Sequence, residues 1–390
     1  MKIRDKSRRK VCVVLVDRAN YGRMRPVMQA LKDDPAIKLQ VVCAGTMLLE
    51  RFGAAIHQVE RDGFQVDVCV YLELEGSQPI SMAKSVGIGA MEFASAYQWL
   101  KPDLVLLIGD RYEAMAATVA AAYMNLQVAH IQGGEVSGSI DESTRHAITK
   151  FSHLHFPSTE RAASYIRRMG EPAESVHNVG CPAGDYILSL DDDLPADVFA
   201  RVSVGAEVRP DAPYLLVIFH PVTTEIQSQA RQVEELLAGL EQFGMPTVWL
   251  WPNIDAGADQ ISKVLRKYRE HNNDSWLCLL KNLDPVSFQK ALRGAACAVG
   301  NSSSFVRDST FSGTPVVLVG NRQQGREFGQ NLVECEPERN AVFEAVKTQI
   351  AHGRYEPDGL YGNGTASKQI VEHIKAFQPT RQKRLSYIFE

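Results

Sequence analysis

The sequence predicts an α/β protein built from two doubly wound, Rossmann-like domains with a cleft between them. Short, near-continuous apolar runs alternate with longer amphipathic segments, the mark of parallel strands buried on both faces by helices. The alternation stops at the acidic, proline-bearing stretch Asp191-Asp192-Asp193-Leu194-Pro195 and at residues 210–213, then restarts. A chain of 390 residues has room for two or three such units, each with its own core.

Strands of the first half are expected at 10–16, 39–43, 66–70, 104–108 and 128–131, with two short ones around 153–156 and 176–179. Helical patterns lie between them at 24–32, 47–61, 80–100 and 114–124. The run 191–193 is acidic enough to suggest a metal, but it lacks the glycine and spaced ligands of a calcium loop and reads as solvated linker. In the second half the strands are 214–219, 247–251, 276–280, 295–299 and 316–319, and the helices 225–243, 258–270, 285–293 and 303–311. Gly313 suits the end of that last helix, and Pro315 opens the next strand. An amphipathic run from Lys368 to Phe377 can pack as a terminal helix. The expected units are a basic disordered tail (1–9), an N-terminal domain (10–190), a C-terminal domain (191–365), and a helix with its tail (366–390).

Composition narrows the function. A net charge of −4 argues against a polyanion-binding surface, though not against a local basic pocket. The basic residues 1–10 suit a solvated tail better than a nucleic-acid arm, since they are few and carry no aromatic. The apolar run behind them ends at Asp17, too short for a signal core or a membrane span. The seven cysteines are scattered without a Cys-x-x-Cys and read as reduced core residues of a cytoplasmic protein. There is no Gly-x-Gly-x-x-Gly and no Walker loop, so a bound dinucleotide and a P-loop ATPase are disfavoured.

The informative positions are the strand ends, where ligands of doubly wound sheets sit. The first strand is followed by residues 17–23, Asp-Arg-Ala-Asn-Tyr-Gly-Arg, and the fourth by Gly109-Asp110-Arg111. Gln132-Gly133-Gly134-Glu135 follows the fifth, and residues 139–146 follow in turn. In the second half His220, Pro252-Asn253 and Lys281-Asn282 end strands, and the run 295–299 feeds Gly300-Asn301-Ser302-Ser303-Ser304. Serines opening a helix offer hydroxyls and unpaired amides to a phosphate, or merely cap the helix. Asp141 pairs with Arg145 four residues on, or caps the helix they share. His153 and His155 alternate on a strand and have no matching third metal ligand, so they read as core or edge residues, and His130 as structural. His220, at a strand end before Pro221, suits a ligand role at least as well as packing.

Taken together, these motifs resemble the UDP-N-acetylglucosamine 2-epimerases, specifically the hydrolysing branch of sialic-acid-type sugar pathways. The resemblance runs from Lys10 to about Val333. It rests on Arg18-Ala-x-Tyr21, Gly109-Asp-Arg111, Gly133-Gly-Glu135 with the run 137–141, Arg-His-Ala-Ile-Thr-Lys at 145–150, Pro-Asn-Ile-Asp-Ala-Gly at 252–257, and the serine loop through Gly313-Thr-Pro315. It implies a GT-B fold with the nucleotide held mainly by the C-terminal domain. Ser302 and Ser303 would hold the diphosphate, with Arg18 and His220 also meeting phosphate. Arg111 and Asn253 would line the same site, Asp308 would meet the ribose, and Arg322 and the backbone near Leu283 would complete the pocket. Gly22 and Arg145 belong to the same binding set. Asp110 and Asp141 match acids implicated in catalysis, with Glu135 and Gln132 beside them. No metal or other cofactor is implied; the partner is a nucleotide sugar, with no nucleic acid or membrane, and the protein would be a homodimer or homotetramer. The sequence departs from the family pattern at Gln132 and Asp308 (each usually Glu), Asn20 (Asp), Met47 (His) and Phe305 (Gly). Hydrolytic 2-epimerisation is the expected activity; glycosyl transfer and silent nucleotide-sugar binding are the competing ones.

Overall fold

The computed structural model describes residues 8–74, 78–200, 203–271, 276–379 and 382–386. The basic tail expected over residues 1–9 lies outside them as far as residue 7. The first lobe holds a six-stranded parallel sheet: β1 (Arg9–Leu15), β2 (Ile37–Ala44), β3 (Val68–Val70), β4 (Leu104–Ile108), β5 (Gln127–Ile131) and β6 (Leu154–Phe156), in the order β3-β2-β1-β4-β5-β6. The second holds β7 (Ser203–Gly205), β8 (Leu215–Ile218), β9 (Thr247–Leu250), β10 (Leu277–Leu280), β11 (Cys297–Gly300), β12 (Val316–Val319) and β13 (Leu332–Cys335), ordered β13-β12-β11-β8-β9-β10-β7. Among the described residues only β7 runs antiparallel, against β10.

Both faces of each sheet are dry, as the continuous apolar runs require. Val11, Val13 and Leu15 of β1 enter one layer, and Cys12 and Val14 enter the other. Leu216 and Ile218 of β8 face one side, Leu215 and Val217 the opposite one. Burying each large side chain contributes about 1.5–3 kcal/mol. The first parallel strand of each lobe, β1 and β8, sits mid-sheet: Val11 pairs with Leu39 and Leu104, and Leu215 with Thr247 and Cys297. The winding direction therefore reverses beside β1 and again beside β8. These switch points open a crevice at the carboxyl ends of the strands.

The first helix starts at Arg18, earlier than its apolar pattern, because Asp17 caps it by accepting the Asn20 amide at 2.7 Å. The expected helix over 47–61 is broken: 3₁₀ turns at Gly45–Leu48 and Glu50–Phe52 precede a helix at Ile56–Arg61. Gly53 and Ala54 between them adopt φ of +86° and +37°, which no helix continues through. The expected helix 303–311 is a five-residue helix, Ser303–Arg307, running into a 3₁₀ turn, Asp308–Phe311. The strand expected at 176–179 is a single bridge from Val176 to His155. The acidic run 191–193 docks on the helix Pro285–Gly294, with Asp192 3.0 Å from Arg293 and Asp191 paired to Lys290. The last helix, Ala366–Ala376, crosses back: Ile370, Val371 and Ile374 join the core of the first lobe, and Lys375 reaches Asp34 at 3.0 Å. Among the described residues no helix is long and apolar enough to cross a membrane.

Candidate active site

A cavity of about 540 Å³ lies between the lobes, at the carboxyl ends of both sheets. Of the residues singled out from the sequence, Arg18, Gly22, Asp110, Arg111, Asp141, His220, Asn253, Leu283, Ser302, Ser303, Asp308 and Arg322 line it. β1 delivers Arg18, β4 delivers Asp110 and Arg111, β8 delivers His220, β9 Asn253 and β11 Ser302. Gln132, Glu135 and Arg145 do not line the cavity and lie behind its wall, all buried.

Two of the acids lining the cavity, Asp110 and Asp141, have opposite environments. Burial works to raise Asp110, but Arg145, with Arg326 and Arg307 beyond it, holds its carboxyl well below the usual range. Asp141 moves the other way: burial raises it, the charge of Asp110 adds to that, and Arg322 at 3.4 Å opposes both. Two neighbouring carboxyls pushed apart can act as base and acid. Asp141 pairs with Arg322 and not with Arg145, and the N-cap position belongs to Ile140.

Donors gather around the serine loop. The Ser302 hydroxyl accepts from the Ser304 amide at 3.3 Å, so the capping role is present. With a helix of only five residues, the macrodipole adds little, and the donors are mainly side chains. His220 Nδ1 accepts from the Asn253 amide at 3.2 Å, which leaves the proton on Nε2. Burial, then Arg322, Arg111 and Arg18, push this imidazole well below its ordinary value, so it is a neutral donor. Arg18 forms no hydrogen bond or ion pair among the described residues; burial pulls it down to about 10 against the help of Asp17. A guanidinium held half-dry without a carboxylate is suited to an anion. Arg111 is different. It gives two hydrogen bonds to Glu113, at 3.1 and 2.9 Å, and one to Asp255 at 2.5 Å, tying the lobes together with little left for phosphate.

Asp308 is buried, with Oδ2 accepting from Gln289 at 2.7 Å and Oδ1 lacking a partner. Asp308 lines the cavity together with Val204, Trp251, Leu279, Leu283 and Phe288. Asp255, Arg23 and Gln289 escaped the sequence reading. Asp255 lies inside the 252–257 motif and Arg23 at the edge of the first strand-end run, while Gln289 sits mid-helix with no signal. His130 donates or accepts only inside the core, at Gly109 O (2.7 Å) and Thr149 (3.2 Å), and His155 pairs with Glu171 at 3.2 Å. Among the described residues, no group of three or more His, Cys, Asp or Glu side chains is placed to hold a metal ion.

Two Rossmann-like lobes with acids and anion donors converging on the cleft between them define an enzyme of the GT-B fold. The sequence matches the family model for UDP-N-acetylglucosamine 2-epimerase over residues 29–375, and the chain belongs to that family. It is 32% identical over 367 residues to the UDP-N,N'-diacetylbacillosamine 2-epimerase (hydrolyzing) of Legionella pneumophila, covering 94% of this chain and 96% of that one. It is 30% identical to the GDP/UDP-N,N'-diacetylbacillosamine 2-epimerase (hydrolyzing) of Campylobacter jejuni, with 88% of each covered. In fold it is similar to the crystal structure of UDP-GlcNAc 2-epimerase from Neisseria meningitidis bound to UDP-GlcNAc, with a TM-score of 0.75 at 18% identity over 94% of this chain and 100% of that one.

Proposed function

We propose that the protein is a hydrolysing 2-epimerase of a UDP-activated N-acetylamino sugar. The observation that carries this reading is the pair Asp110 and Asp141, one held ionised and the other biased toward its protonated form, in a cleft shared with Arg18, His220 and Ser302. The diphosphate lies against Ser302, Ser303, Arg18 and the His220 Nε2–H, and the nucleoside extends toward Asp308 and Leu283. Asp110 takes the proton from sugar C2 as the C1–O bond breaks and the nucleoside diphosphate leaves, giving a glycal. Asp141 then delivers its proton to C2 from the opposite face while water adds its oxygen at C1. The water's proton returns to Asp141, and Asp110 sheds its own to solvent. The product is the free sugar, inverted at C2.

The names of the relatives favour neither glycosyl transfer nor silent binding. Reduced, mostly buried cysteines support a cytoplasmic setting. A homodimer is part of the same proposal: Met91, Trp99 and Tyr123 are exposed on two packed helices, Pro79–Leu100 and Tyr112–Tyr123, and offer a second copy apolar surface. Light scattering reads the mass. The chemical test uses deuterated water with UDP-N-acetylglucosamine and, separately, UDP-N,N'-diacetylbacillosamine. The expected product is UDP with free sugar carrying deuterium at C2. UDP release without deuterium at C2 rejects epimerisation.

A further inference from the structure

Directly behind the cleft lies a group of buried charges that crosses from one lobe to the other. Glu135, on the loop after β5 of the first lobe, is 5% exposed. Both its carboxylate oxygens lie 3.2 Å from Arg307 Nε, and Oε2 lies 2.8 Å from Arg326 Nη1. Arg307 closes the short helix that Ser302 opens, and its Nη1 donates to Ser303 O at 3.4 Å. Arg326 belongs to a second-lobe loop that clamps the first lobe at several points. Gly138 N donates to Arg322 O at 3.0 Å, and Arg161 donates to Gly325 O at 2.7 Å. On the other side, the Glu135 carbonyl accepts from Arg145 Nη1 at 2.7 Å, and Arg145 pairs through Nη2 with Asp110.

We infer that Glu135 is a positioning residue: a cross-lobe latch that ties the serine-loop helix to the arginine holding Asp110. The inference rests on the proposed epimerase reading only for what closure accomplishes. A carboxylate so enclosed does not reach substrate, and its two oxygens are spent on guanidinium groups of the opposite lobe. Opening the lobes strands Glu135 on one side and two buried arginines on the other, so the closed state holds only while the carboxylate is present. Closing brings the diphosphate donors and the C2 base together through Ser303, Arg307, Glu135, Arg145 and Asp110 in that order. The same junction has an uncharged handle. A Cβ on Gly138 would lie 2.0 Å from the Asn321 carbonyl oxygen, so this backbone crossing admits only glycine when closed.

The test compares wild type with Glu135→Gln, Gly138→Ala and the double variant Glu135→Gln/Arg326→Gln. Small-angle scattering on the ligand-free proteins reads closure, and UDP affinity is measured separately from kcat. Both single variants are expected to show a larger radius of gyration and a kcat lower by about 100-fold or more, the population lost when one partner of a buried pair is removed. UDP affinity should fall by far less than kcat, because Ser302, Ser303 and His220 lie on the second lobe and only Arg18 meets the diphosphate from the first. The double variant should recover about tenfold in kcat over Glu135→Gln, since it no longer strands Arg326; a group that took the proton itself would show no such recovery. Gly138→Ala probes the junction even if Glu135→Gln does not fold. Wild-type shape and kcat in Gly138→Ala overturn the latch, as does a double variant no better than Glu135→Gln. If wild type turns over no UDP-sugar, the epimerase reading fails, while scattering on the ligand-free variants still decides the latch.

Discussion

Replacing Arg145 with methionine separates the electrostatic from the structural side of the site. The guanidinium is buried and donates to the Glu135 carbonyl at 2.7 Å, to the Ser137 hydroxyl at 3.1 Å, and to Asp110. Methionine fills much of the space but leaves these acceptors without a donor. Removing one partner of a buried ion pair costs about 3–5 kcal/mol, and the lower end applies because the Asp110 side chain keeps 21% exposure. Arg145 is the strongest charge holding Asp110 down, so its loss lets burial raise that carboxyl. The sign follows from linkage. A depressed folded-state value stabilises the protein above the unfolded value of about 3.9, and the stabilisation is lost as pH falls through the folded value. The variant therefore loses about 1.4 kcal/mol of this contribution at neutral pH for each unit recovered. Urea unfolding at neutral and acid pH measures it. Followed toward acid pH, the variant's kcat/KM should begin to fall through Asp110 at a higher pH than the wild type's. Superimposable profiles would refute the claim that Arg145 sets the ionisation of Asp110.

Three further outcomes follow from the same geometry. Ser302→Ala removes the hydroxyl that caps Ser304, lowering stability by about 1 kcal/mol in thermal melts and weakening UDP binding by about tenfold in calorimetry. Ligand-free His220 should stay neutral from about pH 7 to 5.5 by nitrogen NMR, because burial and three arginines depress it; this stabilisation is present above the unfolded value of about 6.5 and lost as pH falls. A bound diphosphate should move its titration upward. Gln132→Glu places an acid at a fully buried site where Nε2 touches only Cys181 Sγ, at 3.2 Å, and Oε1 has no partner. Stability should fall by about 1–3 kcal/mol with no gain in kcat, and a large gain would mark the amide as a lost base.

What the sequence made legible follows from what each residue answers to. Strands β4 and β12 begin and end where the apolar runs do, because a strand buried on both faces has no polar position inside it. The edges were missed for the same reason. β7 has three residues, two of them exposed, and β13 exposes Glu334, so neither makes a continuous apolar run. The helix Arg339–His352 hides behind a mixed face whose buried positions include Gln349. Site residues at strand ends were readable because parallel strands deliver all their carboxyl ends to one side, so position in the chain gives position in space. Their pairings were not. Arg111 meets Asp255 across 144 residues and Arg307 meets Glu135 across 172, and no local spacing encodes a contact made by two lobes docking. Glu135 therefore looked like one more acid at a strand end, although its partners remove it from the cavity wall.

The pairing pattern also bears on how such a site releases its product. Arg111, Arg145, Arg307, Arg322 and Arg326 each face a carboxylate, and their charges go to fixing Asp255, Asp110, Glu135 and Asp141. Of the arginines lining the cavity wall, Arg111 and Arg322 pair with carboxylates, Arg266 lies over the Trp251 ring, and Arg18 and Arg23 form no ion pair among the described residues. Beside the serine loop a diphosphate meets the Arg18 guanidinium, and otherwise hydroxyls and a neutral imidazole. Neutral donors aimed at a leaving group gain most as its charge develops, when the C1–O bond breaks, and less from the intact ester. A cleft lined with free arginines would grip ground state and transition state alike, and would hold the nucleotide after the sugar had gone. With Arg111 and Arg322 committed to carboxylates and most of its diphosphate donors neutral, this cleft directs its binding energy toward the bond-breaking step and leaves the free nucleotide a weaker hold.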